Sequence, residues 1–249
     1  MIYIPNNKIY HFILTLNIMS KSIVVSSGGQ SGSTMLFNIF RYCYEEFNLQ
    51  FDSMYISGRT NKMNDIIRKW KKHRKNGLII KTHSKLFTEP CVSDYIFFIT
   101  RDLRDSAISS YNRYKNTERS DLNSFINNME HNINAFKNWK SEAHVLKYED
   151  IMNNKYNSVE KILKIIGFIN HDECYKEKIK RSIFNIVKKS DNDLMTKSEN
   201  QNPDTLLSSS HITSNGQSKK YTTFFTKDEN RIILENDNIR NYLDEHKYL

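Results

Sequence analysis

The chain has 249 residues, 38% of them hydrophobic and 26% charged, with a formal net charge of +9. That length and composition allow a well-buried core and exclude a disordered or collagen-like chain. The basic balance suits anionic ligands. Cys43, Cys91 and Cys174 are too sparse and odd in number for a disulfide scaffold, so a reducing compartment is expected.

In chain order, Ile9 to Ile18 is mostly apolar but about half the length of a membrane span, and it lacks a small-residue cleavage site. Residues 1–21 read as an N-terminal extension, either dispensable (with Met19 as a second start) or packed as a strand or helix. A β-branched run at 22–26 then reads as a strand. It ends in Gly28-Gly29-Gln30-Ser31-Gly32-Ser33-Thr34, and apolar residues at helical spacing follow (Met35, Leu36, Ile39, Phe40, Cys43, Phe47). A strand, a Gly-rich loop and a helix in succession turn several backbone N–H groups toward one hollow at the positive end of the helix, where an oxyanion fits. A Walker A loop is disfavoured, because Gly32 is followed by Ser33 and not Lys. Gly29-Gln30-Ser31-Gly32-Ser33 misses the hydrolase elbow Gly-x-Ser-x-Gly by its last residue, which keeps a serine hydrolase using Ser31 as a rival.

The run Arg68-Lys69-Trp70-Lys71-Lys72-His73-Arg74-Lys75 reads as a solvated helix face, with a patch for an acidic glycan or nucleic acid as the sharper alternative. No stacking motif favours nucleic acid. Strand-like residues 78–81 lead into Lys81-Thr82-His83. The apolar run 95–100 has the character of a strand buried on both faces, and it delivers Arg101 at the end where ligands of open α/β sheets bind. Asp102 is placed to cap the next helix, with Asp105 in its first turn. The Arg101 guanidinium suits a phosphate, and Ser109, eight residues on, can add a hydroxyl. A short strand at 144–147 precedes Tyr148-Glu149-Asp150 and a helix ending at Ile165-Ile166-Gly167. Residues 188–218 are rich in Ser, Asn, Asp and Lys and read as a loop or lid inside one domain spanning 22–249. No His/Cys cluster has zinc spacing, so no metal is expected.

Between Ser22 and Gly167, four segments together resemble the sulfotransferases that use 3′-phosphoadenosine-5′-phosphosulfate (PAPS). Gly29 to Leu36 is similar to the family's Pro-Lys-Ser-Gly-Thr-Thr-Trp-Leu. Arg101 and Ser109, with Arg104-Asp105 nearby, are similar to its second signature. Lys81-Thr82-His83 and Tyr148-Glu149-Asp150 complete the order. The resemblance implies an α/β fold of three layers, with a central parallel sheet flanked by helices, like the P-loop-containing nucleotide hydrolases. It implies PAPS as donor and a sulfuryl group passed to a hydroxyl or amine of a small-molecule or glycan acceptor, with no metal; the sparse cysteines add the expectation of a cytoplasmic location. Gln30, Ser31, Gly32, Ser33 and Thr34 would hold the 5′-phosphosulfate, Arg101 and Ser109 the 3′-phosphate, and Tyr148 the adenine. His83 would be the base, and Lys81 would stabilise the transferring group.

Three departures follow from the same match. The family's loop cation is Gln30 and its following Trp is Met35. The C-terminal block aligns as Ser214 to Phe225, retaining Gly216, Tyr221 and Phe225, with Lys219 or Lys220 as the source of the missing charge. A degenerate member that binds adenosine 3′,5′-bisphosphate (PAP) with little turnover is the alternative that Gln30 raises.

Overall fold

The computed structural model describes residues 21–56, 61–73, 76–83, 90–113, 121–169, 176–195, 205–206 and 218–249. The N-terminal extension through residue 20 therefore lies outside the described residues, as do Cys174 and the part of the C-terminal block that holds Gly216.

Among the described residues, five strands form one parallel sheet. They are β1 (Ser22–Ser27), β2 (Phe51–Ile56), β3 (Gly77–Thr82), β4 (Tyr95–Thr100) and β5 (His144–Lys147), in the order β2-β3-β1-β4-β5. All of β1 is buried, as the central strand of a sheet covered on both faces must be. Its side chains alternate between two cores. Ile23 and Val25 face a cluster with Leu36, Ile39, Phe40 and Cys43 of α1 (Ser33–Glu46). Val24 faces the other cluster, which takes Met63 and Ile67 from α2 (Asn61–His73), Leu103 and Ile108 from α3 (Leu103–Arg113), and Phe125, Met129 and Phe136 from α4 (Leu122–Trp139).

After β5 come α5 (Tyr148–Asn153), α6 (Lys155–Ile165) and α7 (Lys176–Met195), which join the α1 side. The chain closes with α8 (Tyr221–Phe224), α9 (Lys227–Glu235) and α10 (Asp237–Glu245) on the α4 side. No helix among the described residues is long and apolar enough to cross a membrane.

Two expectations need correction. Strand β2 was not among the expected strands: it is a half-exposed edge strand in which Asp52 and Tyr55 face solvent, so no apolar run marks it. The loop expected from Lys188 starts too early, because α7 continues to Met195. Its polar end is held by tertiary contacts, with Lys155 Nζ 2.5 Å from Asp191 and Tyr42 Oη 2.6 Å from Asp193. The basic run on α2 does lie along a solvated face: Arg68, Lys69, Lys72 and His73 are exposed, and Lys71 turns back to the Val92 carbonyl at 2.6 Å.

The register aligns the carboxyl ends of the strands. Ser26 lies beside Thr82, Ser27 beside Ile99, and Thr100 beside Lys147. The segments that follow these strands therefore meet on one edge of the sheet, at the point where the chain crosses from β3 past β1 to β4.

Candidate active site

The loop after β1 is built for close approach. Gln30 has φ +54° and Gly32 φ +96°, both left-handed. A Cβ on Gly32 would lie 2.6 Å from Tyr148 Cδ2, so only glycine lets the loop rest on that ring. Gly32 is also the N-cap of α1 and supplies no side-chain cap to its N–H groups. An uncapped, left-handed entry to a 14-residue helix suits an anion.

Arg101 emerges from β4 and is buried. Its Nη1 donates to the Gln30 carbonyl at 3.1 Å and to Ser109 Oγ at 3.3 Å, and its guanidinium lies 4.3 Å from the Tyr148 ring centroid. The expected Arg101, Ser109 and Tyr148 thus form one cluster beside the loop. Asp102 accepts from the Arg104 amide at 2.9 Å, the capping role expected of it.

The Arg104-Asp105 pair has a structural use. Arg104 makes a fork to Asp102 at 3.0 and 2.7 Å. Asp105 accepts from the Lys219 amide at 2.5 Å and the Tyr221 amide at 3.1 Å. These bonds dock the described part of the C-terminal block against α3. Lys219 is exposed, whereas Lys220 is half-buried with its pKa pushed down to about 8, by burial first and then by Arg101. Lys220 therefore lies within electrostatic reach of Arg101.

On the other side of the loop, Lys81 and Thr82 are the last residues of β3 and are buried, where the sequence put this motif just past its strand. Lys81 Nζ donates to Thr34 Oγ1 at 2.7 Å and lies 5.4 Å from the Tyr55 ring. Burial, and then Arg113, push its pKa down to about 8. His83 follows directly, with Nδ1 3.4 Å from the Ser27 carbonyl and its ring 6.0 Å from Tyr55. A carbonyl only accepts, so this bond puts the ring proton on Nδ1 and leaves Nε2 as the acceptor. Burial and then the Lys81 charge lower the His83 pKa to about 4, so the ring is neutral near neutral pH.

Ser31 Oγ lies 3.2 Å from the Gly29 carbonyl and 3.4 Å from Ser106 Oγ, while the His83 ring is tied to Ser27. That arrangement engages Ser31 within its own loop, and among the described residues Ser31 makes no hydrogen bond to a histidine.

Tyr55, Arg113, Ser106 and Asn132 were missed by sequence reasoning. Asn132 carried a readable signal. It sits in the apolar stripe of α4 between Met129 and Ile133 and is buried, and a buried amide must find partners.

The parallel sheet between two helical layers and the loop-to-helix junction at β1 define the three-layer α/β fold of the P-loop-like sulfotransferases. Among solved structures, the chain superposes on mouse sulfotransferase SULT7A1 complexed with PAP, with a TM-score of 0.61 and 15% identity over 94% of each chain. No family model matches the sequence, and no curated protein sequence does.

Proposed function

We propose that the chain is a PAPS-dependent sulfotransferase acting on a hydroxyl or amine of a small-molecule or glycan acceptor, as one catalytic unit over 22–249 in the cytoplasm. The observation that carries this reading is the clustering, at one sheet edge, of the β1 loop with Arg101, Ser109 and Tyr148 on one side and Lys81 and His83 on the other. The sulfotransferase neighbour, solved with PAP, supports the same reading.

The residues present fit the donor. Arg101 and Ser109 form a cationic, hydroxyl-bearing corner suited to a 3′-phosphate, and the glycine surface at Gly32 leaves the Tyr148 ring close to the loop for a purine. Backbone N–H groups from Ser31 to Thr34, with the hydroxyls of Ser33 and Thr34, are the candidate donors to the 5′-phosphosulfate. PAPS supplies an activated sulfuryl group. His83 Nε2 takes the proton from the acceptor hydroxyl or amine as the new S–O or S–N bond forms and the S–O bond to the 5′-phosphate breaks. Lys81 offsets negative charge that builds up near Thr34. Gln30 brings no charge to the loop, so its carbonyl, held by Arg101, is its defined contribution.

An acceptor screen with PAPS, read by mass spectrometry for sulfated product, tests the proposal. His83→Ala should abolish most of the product while retaining donor binding, with a loss of about 100-fold or more in turnover. Full activity in His83→Ala would refute the assigned base. Donor binding with no turnover on any acceptor would favour the degenerate alternative.

A further inference from the structure

Both backbone polar groups of one loop residue, Gly29, are occupied by side chains from α3 and α4. The Gly29 N–H donates to Asn132 Oδ1 at 2.5 Å. The Gly29 carbonyl accepts from the Ser106 hydroxyl. Asn132 Nδ2 in turn donates to Ser106 Oγ at 3.1 Å and to Asn128 Oδ1 at 3.5 Å. The three residues form a closed ring of bonds in which each direction is determined. The amide oxygen must face the N–H, the amide nitrogen must face Ser106, and the Ser106 proton is left for the Gly29 carbonyl.

The preceding residue is fitted to the same side chain. A Cβ on Gly28 would lie 2.6 Å from Asn132 Oδ1 and 2.8 Å from its Cγ. Asn132 cannot retreat without giving up its bonds, so glycine at 28 is the condition for its approach. The following residue, Gln30, is held in its left-handed conformation with its carbonyl on Arg101. Residues 28–30 are thus clamped by side chains from α4, α3 and the end of β4, just before the N–H groups that the proposed donor site assigns to the phosphosulfate.

We propose that Asn132, acting through Ser106 and Gly29, is the positioning residue that holds the β1 loop in its anion-binding shape. The inference rests on the proposed donor site, and it names how a loop without a cation remains competent. Fixed backbone dipoles cost no reorganisation when an anion arrives, so a rigid loop recovers part of what a lysine would supply. Buried amides in helix stripes also serve fold stability alone, and the variants below separate the two roles.

Asn132→Asp is the discriminating variant. As a carboxylate it can still accept from Gly29 but cannot donate to Ser106, and it brings negative charge beside the loop. Protonated, it reproduces the amide's pattern of one acceptor and one donor. Affinity for PAP is measured by calorimetry for the wild-type protein and the variant at about pH 8 and about pH 5, on either side of the range in which a partly buried carboxyl titrates. Exchange of the Gly29 amide is followed by NMR at the same two pH values.

The expected result is about tenfold or greater weakening at the higher pH, the equivalent of one buried hydrogen bond, narrowing toward the wild-type value at the lower pH. Loss of the Ser106 anchor lets the loop open more often, so Gly29 exchange, relative to wild type, accelerates at the higher pH even though the carboxylate can accept from its N–H in the closed loop, and it recovers in step. Gly28→Ala, which displaces Asn132 without removing it, should weaken PAP binding at both pH values. A variant-to-wild-type affinity ratio near one, or one that does not change with pH, overturns the proposal. If the wild-type protein itself binds no PAP, the functional reading fails. The exchange comparison then decides the role of Asn132: pH-dependent release of Gly29 upholds it, and unchanged protection overturns it.

Discussion

Replacing Arg101 by alanine removes a buried guanidinium that makes three defined contacts: the Gln30 carbonyl at 3.1 Å, Ser109 Oγ at 3.3 Å and the Tyr148 ring at 4.3 Å. The loss has two parts. One falls on the protein itself, because the Gln30 carbonyl and Ser109 lose a donor, at a cost of about 1–3 kcal/mol in stability. The other falls on the ligand. A charge-assisted bond to phosphate is worth about 1.5–3 kcal/mol, or about 10- to 150-fold in Kd. Loop relaxation affects every nucleotide that uses the loop, whereas loss of the 3′-phosphate contact affects only ligands that carry that group. Calorimetric titration with PAP and with adenosine 5′-monophosphate separates them. Arg101→Ala should weaken PAP by at least about tenfold more than the monophosphate, and Arg101→Lys, which keeps charge but loses the fork, should fall between. Equal losses for both ligands would refute the assignment of Arg101 to the 3′-phosphate.

Other expectations follow from the same geometry. Gly32→Ala combines a left-handed φ, costing about 1–2 kcal/mol, with a 2.6 Å clash on Tyr148, costing about 1–3 kcal/mol, so denaturant unfolding should show ~2–5 kcal/mol lost; a neutral variant would contradict the packing. His83 should titrate by NMR near pH 4 in the free protein and higher with PAP bound, since an anion favours the imidazolium. Its folded-state value lies below the ordinary 6.5, so the unfolded chain binds the extra proton between those values. The contribution of His83 to stability is therefore complete above about pH 6.5 and is lost as pH falls toward 4. A midpoint at or above 6.5 in the free protein would contradict this burial. Lys81 and Lys220 each lose charge near pH 8 in the free protein, so PAP affinity should fall as pH rises past 8. Lys81→Met with Lys220→Met should flatten that limb in calorimetric titrations at several pH values, and a wild-type affinity that does not change with alkaline pH would count against both assignments.

Much of the clustering in the candidate site was legible because its residues stand at or just after the ends of apolar strands. Arg101 follows β4, Tyr148 follows β5, and Lys81 and His83 lie at the end of β3. Apolar runs mark buried strands, and the residue after such a strand belongs to the ligand edge of an α/β sheet. Strand β2 escaped because an edge position leaves Asp52 and Tyr55 in solvent. The end of α7 escaped because Asp191 and Asp193 have the composition of a loop, and only their contacts with Lys155 and Tyr42 keep them in a helix. Asn132 and Ser106 reach Gly29 from 103 and 77 residues away, a closeness that no local pattern encodes. The Arg104-Asp105 pair was legible as a motif, but its use was not. Only the folded chain reveals that Arg104 turns to Asp102 and that Asp105 docks the backbone of Lys219 and Tyr221.

The central claim is that the edge built from the β1 loop, Arg101 and Tyr148 is a site for a 3′-phosphorylated adenine nucleotide. Its most direct test is calorimetric titration of the 249-residue chain with PAP, alongside ATP and adenosine 5′-monophosphate. The account predicts saturable binding of one PAP per chain, tighter than either competitor and weakened by Arg101→Ala. Binding of ATP as tightly as PAP, or no binding of PAP at all, would contradict it.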